Sequence, residues 1–384
     1  MDARTYLEQH CLRSREDIAA FIKADYHQTY DSQGHGWTYS ADLGWILVDS
    51  VRPDGIDGSN TFYHYEASGC RRRIHAPEQQ ARIHTYGNSF THCDQVSDGE
   101  TWQEYLAAHL REPIENYGVG GYSVYQAYRR MLATEKDHPA PYIVLNIWDD
   151  DNYRNLDAWR TLRFGRGSKC GFTLPHLAVD LASGQVSERD NLCPTPKSLY
   201  RLADLDWLVE TFADDPVLRV VLDSRTEDTQ PIPSAVPITF GLPLGQGDQS
   251  LRRAHTQAAL QATRHVLQLT ETFVQQHDKN LLVVLSHSSG GIRRALAGEE
   301  PWDQALLDYL QTRPYPVVDL RDHHRAEFAR FQLGVDDYVK RYYNGHYSPA
   351  GNFFFAQALK EVLVDWLNPK PAPYRPYAQV VQGT

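Results

Sequence analysis

Residues 82–92 read RIHTYGNSFTH. A strand-like run stops at Gly87-Asn88-Ser89, a small polar bend that would hold a hydroxyl at the strand's tip. A serine hydroxyl becomes a nucleophile only with a base within hydrogen-bond reach and donors aimed at the oxyanion that forms. A base is on offer in YYNGHYSPAGNFFFAQAL, where His346 stands just before a Ser-Pro-Ala-Gly helix start. Taken singly, Gly-Asn-Ser is also an ordinary capped turn and a lone histidine an ordinary structural residue. Their relative position favours chemistry. In a parallel α/β sheet both would lie beyond the carboxyl ends of strands, where such folds bind ligands.

Three further stretches hold suitable side chains. NYGVGGYS, residues 116–123, ends the next strand in a glycine bend, where backbone N–H groups can approach a ligand closely. As a dinucleotide fingerprint it would read G-x-G-x-x-S. Ser123 replaces the third glycine, and no acidic residue closes a following strand about twenty residues on, which speaks against that reading. NIWDDDNYRN, residues 146–155, follows the most apolar strand. Asp149, Asp150 and Asp151 would suit Mg²⁺ or Ca²⁺, or would cap a helix and solvate a turn. The amides of Asn152 and Asn155 could donate to an oxyanion. Finally, LLVVLSHSSGGIRRAL contains a rival nucleophile elbow, Ser286-His287-Ser288-Ser289-Gly290, a G-x-S-x-G pattern without its first glycine. Its plain alternative is a strand-to-helix connection capped by serine.

The elements that must position these residues alternate. A helix is expected over 4–24, then an irregular, strand-rich extension to residue 80. From residue 82, strands in RIHTY, PIENYGV and PYIVLNIW alternate with helices at 100–111 and in GGYSVYQAYRRMLATEK. Ser97 and Asp98 are candidate caps of the first of these helices. After an insertion the rhythm resumes: a helix over 252–277, the strand KNLLVVLSHSS, a helix near 302–312, the strand YPVVDLR and a last helix over 350–366. Strands and helices in alternation indicate a parallel sheet. The expected organisation is an extension over 1–80, a catalytic domain from 81–165 and 252–368, an inserted cap-like segment over 166–251, and a Pro-rich extended tail over 369–384. Within the insertion, FTLPHLAVDLASGQVSERD reads as a hairpin.

Together these stretches resemble the SGNH, or GDSL-type, hydrolase superfamily. YGNSFTHCDQVSDGETW is similar to its serine block, NYGVGGYS to its glycine block and NGHYSPAGN to its final block. The likeness covers residues 82–165 and 281–367, and is greatest to bacterial members with a strand-rich N-terminal extension. It implies a three-layer α/β/α flavodoxin-like fold and hydrolysis of an ester or O-acyl group through an acyl-enzyme. By this resemblance Ser89 is the nucleophile and His346 the base. The Ser89 N–H, Gly121 and one of Asn152 and Asn155 form the oxyanion hole. Two positions depart from the pattern. Asn88 stands for the usual aspartate of the serine block, where it shapes the turn. Asn344 stands where an aspartate would orient His346; an amide oxygen can accept the imidazole N–H, though without charge, and Asp336 or Asp337 could take its place. The departure at Asn344 keeps a non-catalytic binding module in view, beside an acyltransferase of the same fold and a metal-dependent hydrolase using the Asp149–Asp151 run. No cofactor or metal is implied.

Composition bounds the partners. With 384 residues, 41% of them hydrophobic, the chain can bury a large core. A net charge of −11 opposes nucleic acid and anionic membrane surfaces; the resemblance implies a small-molecule or glycoside ester as the substrate. Arg71-Arg72-Arg73 is the local exception, either a solvated face or a means of steering an anion. Trp37, Tyr39, Trp45, Tyr63 and Tyr65 could stack on a sugar or an acyl chain, or fill the core. Five scattered cysteines, an amino-terminal MDARTYLEQHCLRSRED without an apolar run and the lack of any bilayer-length apolar stretch give the expectation of a cytoplasmic protein with reduced thiols.

Overall fold

The computed structural model describes residues 1–23, 36–166, 171–224 and 249–376. Those parts of the expected extension, insertion and tail that fall on 24–35, 167–170, 225–248 and 377–384, Cys170 among them, lie outside the described residues. The chain forms two compact units interleaved along the sequence: 1–48 with 121–130 and 149–270, and 49–120 with 131–148 and 271–384.

The second unit is built on a sheet of five strands: β1 (Ile83–Tyr86), β2 (Ile114–Asn116), β3 (Tyr142–Trp148), β4 (Asn280–Ser286) and β5 (Val317–Asp319). Their order is β5-β4-β3-β1-β2, with every adjacent pair parallel. This is the 2-1-3-4-5 order of a flavodoxin-like α/β sheet, as expected, and its direction of winding reverses between β1 and β3. All of β3 is buried, and β4 likewise after Asn280, as for strands covered on both faces.

Four helices matter for the site: α1 (Ser89–His92), α2 (Trp102–Leu110), α3 (Ser289–Leu296) and α4 (Pro349–Trp366). Ser97 and Glu100 form a capping box on a separate 3₁₀ turn, Asp98–Glu100, so the cap of α2 passes to Thr101, whose hydroxyl accepts Glu104 N–H at 3.2 Å. α4 begins with Ser348 as cap and Pro349 in its first turn, the signal read from the sequence. The Trp102 and Phe355 rings stack at 4.7 Å and bring α2 against α4 in the core.

The sheet also contains a buried ionic cluster. His84 on β1 lies between Glu135 (2.7 Å) and Glu115 (3.1 Å), and Lys279 joins Glu135 at 2.9 Å. Burial opposes charge on His84, but the two carboxylates outweigh it and raise the histidine above its ordinary value.

In the first unit the expected helix over 4–24 is broken. Ala3–Tyr6 runs into a π turn, Leu7–Cys11, and a new helix starts at Arg15. Arg13 N–H bonds the Leu202 carbonyl (3.0 Å) while its guanidinium reaches Thr161 Oγ1 and the Arg166 carbonyl. Ser14 Oγ then accepts Asp17 N–H at 2.9 Å and caps the second helix. Two antiparallel hairpins follow, Trp37–Ser40 with Gly44–Leu47 and His176–Asp180 with Gln185–Arg189, the latter as read from the sequence. Trp37 and Trp45 are buried side chains of the core. Among the described residues no helix is long and apolar enough to cross a membrane.

Candidate active site

Ser89 opens α1 immediately beyond the carboxyl end of β1, at the strand where the winding reverses. The residues before it explain the sharp bend. Gly87 has φ +154°, and a Cβ there would lie 2.2 Å from Thr91 Oγ1 and 2.6 Å from the Asn146 carbonyl, so only glycine lets β1 turn against β3. Asn88 caps α1 by accepting Phe90 N–H at 2.8 Å on its side chain. At N1 of this short helix, the Ser89 amide is one of the first-turn N–H groups that have no intrahelical acceptor.

His346 meets the serine. Its Nε2 is 2.9 Å from Ser89 Oγ. It reaches this place from a two-residue ladder, Tyr343–Asn344 with His346–Tyr347, just ahead of α4. The other ring nitrogen, Nδ1, is 2.9 Å from Gln95 Oε1, which also accepts the His346 backbone N–H at 2.7 Å. Asn344, expected in the acceptor's place, is the ladder partner of His346, and the atom at Nδ1 belongs to Gln95 instead. Asp336 pairs with Arg293 on an exposed helix face, and Asp337 is exposed as well.

Gln95 escaped the sequence reading because its role depends on a loop conformation. Cys93 and Gln95 both take left-handed backbone angles, with φ of 65° and 72°. Such values are uncommon for residues with a side chain, and they persist where the surroundings dictate them. Here the surroundings are Arg71. Its buried guanidinium donates to Asp98 (2.9 Å) and to the carbonyls of Cys93 (2.9 Å) and Val96 (2.6 Å), and also binds that of His92. The Arg71-Arg72-Arg73 run is therefore no solvated face at its first position: Arg71 is the brace of the loop that follows Ser89. The Tyr63 ring lies 4.8 Å from the same guanidinium, so Tyr63 belongs to the core.

A second histidine lies one helical turn after Ser89. His92 binds Asp94 through Nδ1 and lies 2.6 Å from the Tyr65 hydroxyl through Nε2. Burial lowers His92 to about 4 against the pull of Asp94. Burial would raise Asp94, but His92, the His346 imidazole and Arg52 hold it below the usual carboxylate range. The pair is thus a neutral imidazole and a carboxylate, with His92 donating from Nδ1 and accepting from Tyr65.

The remaining residues singled out by sequence make contacts within their own units. Ser288 is the cap of α3 and accepts Gly291 N–H at 3.0 Å, the plain alternative for that stretch. In the first unit, Asn152 donates to the Asp149 carbonyl (3.0 Å) and Asn155 to Thr263 Oγ1 (2.9 Å). Thr263 in turn donates to Asn152 Oδ1. Gly121 has φ +84°, and its carbonyl accepts from Arg160. Asp150 is clamped by Arg163 and Arg154, and Asp151 by Arg154. Among the described residues no group of three or more His, Cys, Asp or Glu is arranged to hold a metal ion. Cys11, Cys70, Cys93 and Cys193 are buried thiols, and burial pushes Cys93 up to about 12.

No protein-family model and no curated protein matches this sequence. Solved structures do. The chain is similar to one assigned to the G-D-S-L lipolytic family from Desulfitobacterium hafniense, at 9% identity and a TM-score of 0.32, over 73% of this chain and 98% of that one. It is also similar to an acetylxylan esterase from Geobacillus stearothermophilus, at 11% identity and a TM-score of 0.36, over 75% of this chain and 97% of that one.

Proposed function

We propose that the protein is a serine acyl hydrolase acting on an ester or O-acyl group. The observation that carries this reading is the 2.9 Å approach of His346 Nε2 to Ser89 Oγ at the carboxyl end of β1. Ser89 Oγ attacks the acyl carbon while its proton passes to Nε2. The Ser89 N–H faces the oxyanion of the tetrahedral intermediate. Collapse breaks the bond to the alcohol, which leaves with the proton from His346. Water then attacks the acyl-enzyme with His346 again as base, and the acid departs as Ser89 recovers its proton. The acceptor at Nδ1 is an uncharged amide, so the imidazolium gains less stabilisation than beside a carboxylate, and turnover is expected to be slow compared with a full triad.

The test is pre-steady-state hydrolysis of p-nitrophenyl acetate. A burst of p-nitrophenol stoichiometric with protein is expected, together with an acetyl group on the peptide containing Ser89. Linear release from the start, with Ser89 unmodified at every time point, would contradict the reading.

A further inference from the structure

The Gln95 amide is held in one orientation by two main-chain groups. Its Oε1 is 2.7 Å from the His346 backbone N–H, which can only donate. Its Nε2 is 3.1 Å from the Asp54 carbonyl, which can only accept. An amide turned over would set oxygen against oxygen and hydrogen against hydrogen. The atom 2.9 Å from His346 Nδ1 is therefore an oxygen, and Nδ1 carries the hydrogen. A neutral imidazole has a single N–H, so Nε2 presents its lone pair to Ser89 Oγ. We infer that Gln95 is a positioning residue that fixes the reactive tautomer of His346, the task an aspartate performs in a Ser-His-Asp site. The inference rests on the Ser89–His346 reading for its catalytic consequence but not for the tautomer itself.

Three features indicate that the position is built for an amide. A glutamate at 95 would still accept from His346 but would turn a second oxygen toward the Asp54 carbonyl, now bonded by Nε2. Gln95 N–H donates to the Tyr63 hydroxyl at 2.8 Å, and that hydroxyl lies 3.1 Å from both Asp54 carboxylate oxygens, which closes a ring around the amide on the side away from the histidine. Gly345 has φ +82°, and a Cβ there would lie 2.6 Å from Gln95 Oε1, so the chain before His346 must be glycine for the amide to enter. The segment around Asp54 is thereby coupled to the protonation pattern of a histidine far along the sequence.

The experiment is ¹⁵N NMR of the histidine rings, with kcat and KM for p-nitrophenyl acetate, in the whole protein and in Gln95→Leu and Gln95→Glu. Wild type should show a pyrrole-type Nδ1 and a pyridine-type Nε2 for His346. Gln95→Leu should lose that pattern, and kcat should fall by about 10³–10⁴-fold, the scale seen when the tautomer is lost in a serine protease, with little change in KM. Gln95→Glu should keep the Nδ1–H pattern and recover most of kcat. A wild-type ring with its hydrogen on Nε2 overturns the inference, as does Gln95→Leu with tautomer and kcat unchanged. Should Gln95→Leu fail to fold, a Gln95→Glu protein whose ring has its hydrogen on Nε2 overturns it equally. A wild type with the hydrogen on Nδ1 but no acyl-enzyme upholds the Gln95 assignment and removes the hydrolase reading alone.

Discussion

Replacing Ser89 with alanine is expected to abolish burst and turnover on an activated ester, and His346→Ala to cost nearly as much. Nucleophile and base act as one unit, so either loss removes the same step and the double variant should be no slower than the singles. In subtilisin such losses reach about 10⁶-fold in kcat. Here the reference is lower, because the uncharged Gln95 oxygen stabilises the imidazolium less than a carboxylate would. A fall of at least about 10³-fold is therefore expected, short of the subtilisin value. The Ser89 hydroxyl has its partner in His346 alone among the described hydrogen bonds, so Ser89→Ala should leave the thermal midpoint near that of wild type. Equal turnover in wild type and Ser89→Ala would place the chemistry elsewhere.

Arg71→Met should be the most damaging change away from the reacting atoms. It strands Asp98, a buried carboxylate, although His64 Nδ1 remains 2.7 Å from it. It also leaves the carbonyls of His92, Cys93 and Val96 without the guanidinium. Breaking a buried ion pair by removing one partner costs about 3–5 kcal/mol, and the midpoint should drop on the order of 10 °C. Because the 92–98 loop also holds Gln95 in its left-handed conformation, kcat should fall even well below the new midpoint. Arg72→Met, at an exposed neighbour, should stay within about 0.5 kcal/mol of wild type. An Arg71→Met protein as stable and active as wild type would remove the brace from the account.

Local chemistry made much of this legible in the sequence. β3 and β4 are apolar runs of the kind a doubly covered parallel sheet requires, and Ser348-Pro349 marks the start of α4. Ser89 and His346 stood out because a polar residue at a strand tip and a histidine before the last helix converge in that topology. The partner of His346 did not stand out. Asn344 is close in sequence and chemically able, whereas Gln95 reaches the ring only because Arg71 forces its loop into left-handed angles, and no short motif encodes that. The arginine run misled for a similar reason: its charge suggested solvent, while Asp98 and the carbonyls that bury Arg71 come from elsewhere in the chain. The helix expected over 4–24 ignored what lay outside the window, since its break is held by Leu202, Arg166 and Thr161.

The most direct measurement is peptide mapping after reaction with a fluorophosphonate, which modifies a serine only when a base activates it. The account predicts a single adduct, on Ser89, which disappears in His346→Ala. An adduct on Ser288 with Ser89 untouched would move the nucleophile to the strand-to-helix turn after β4, and an unmodified protein would contradict serine catalysis at this site.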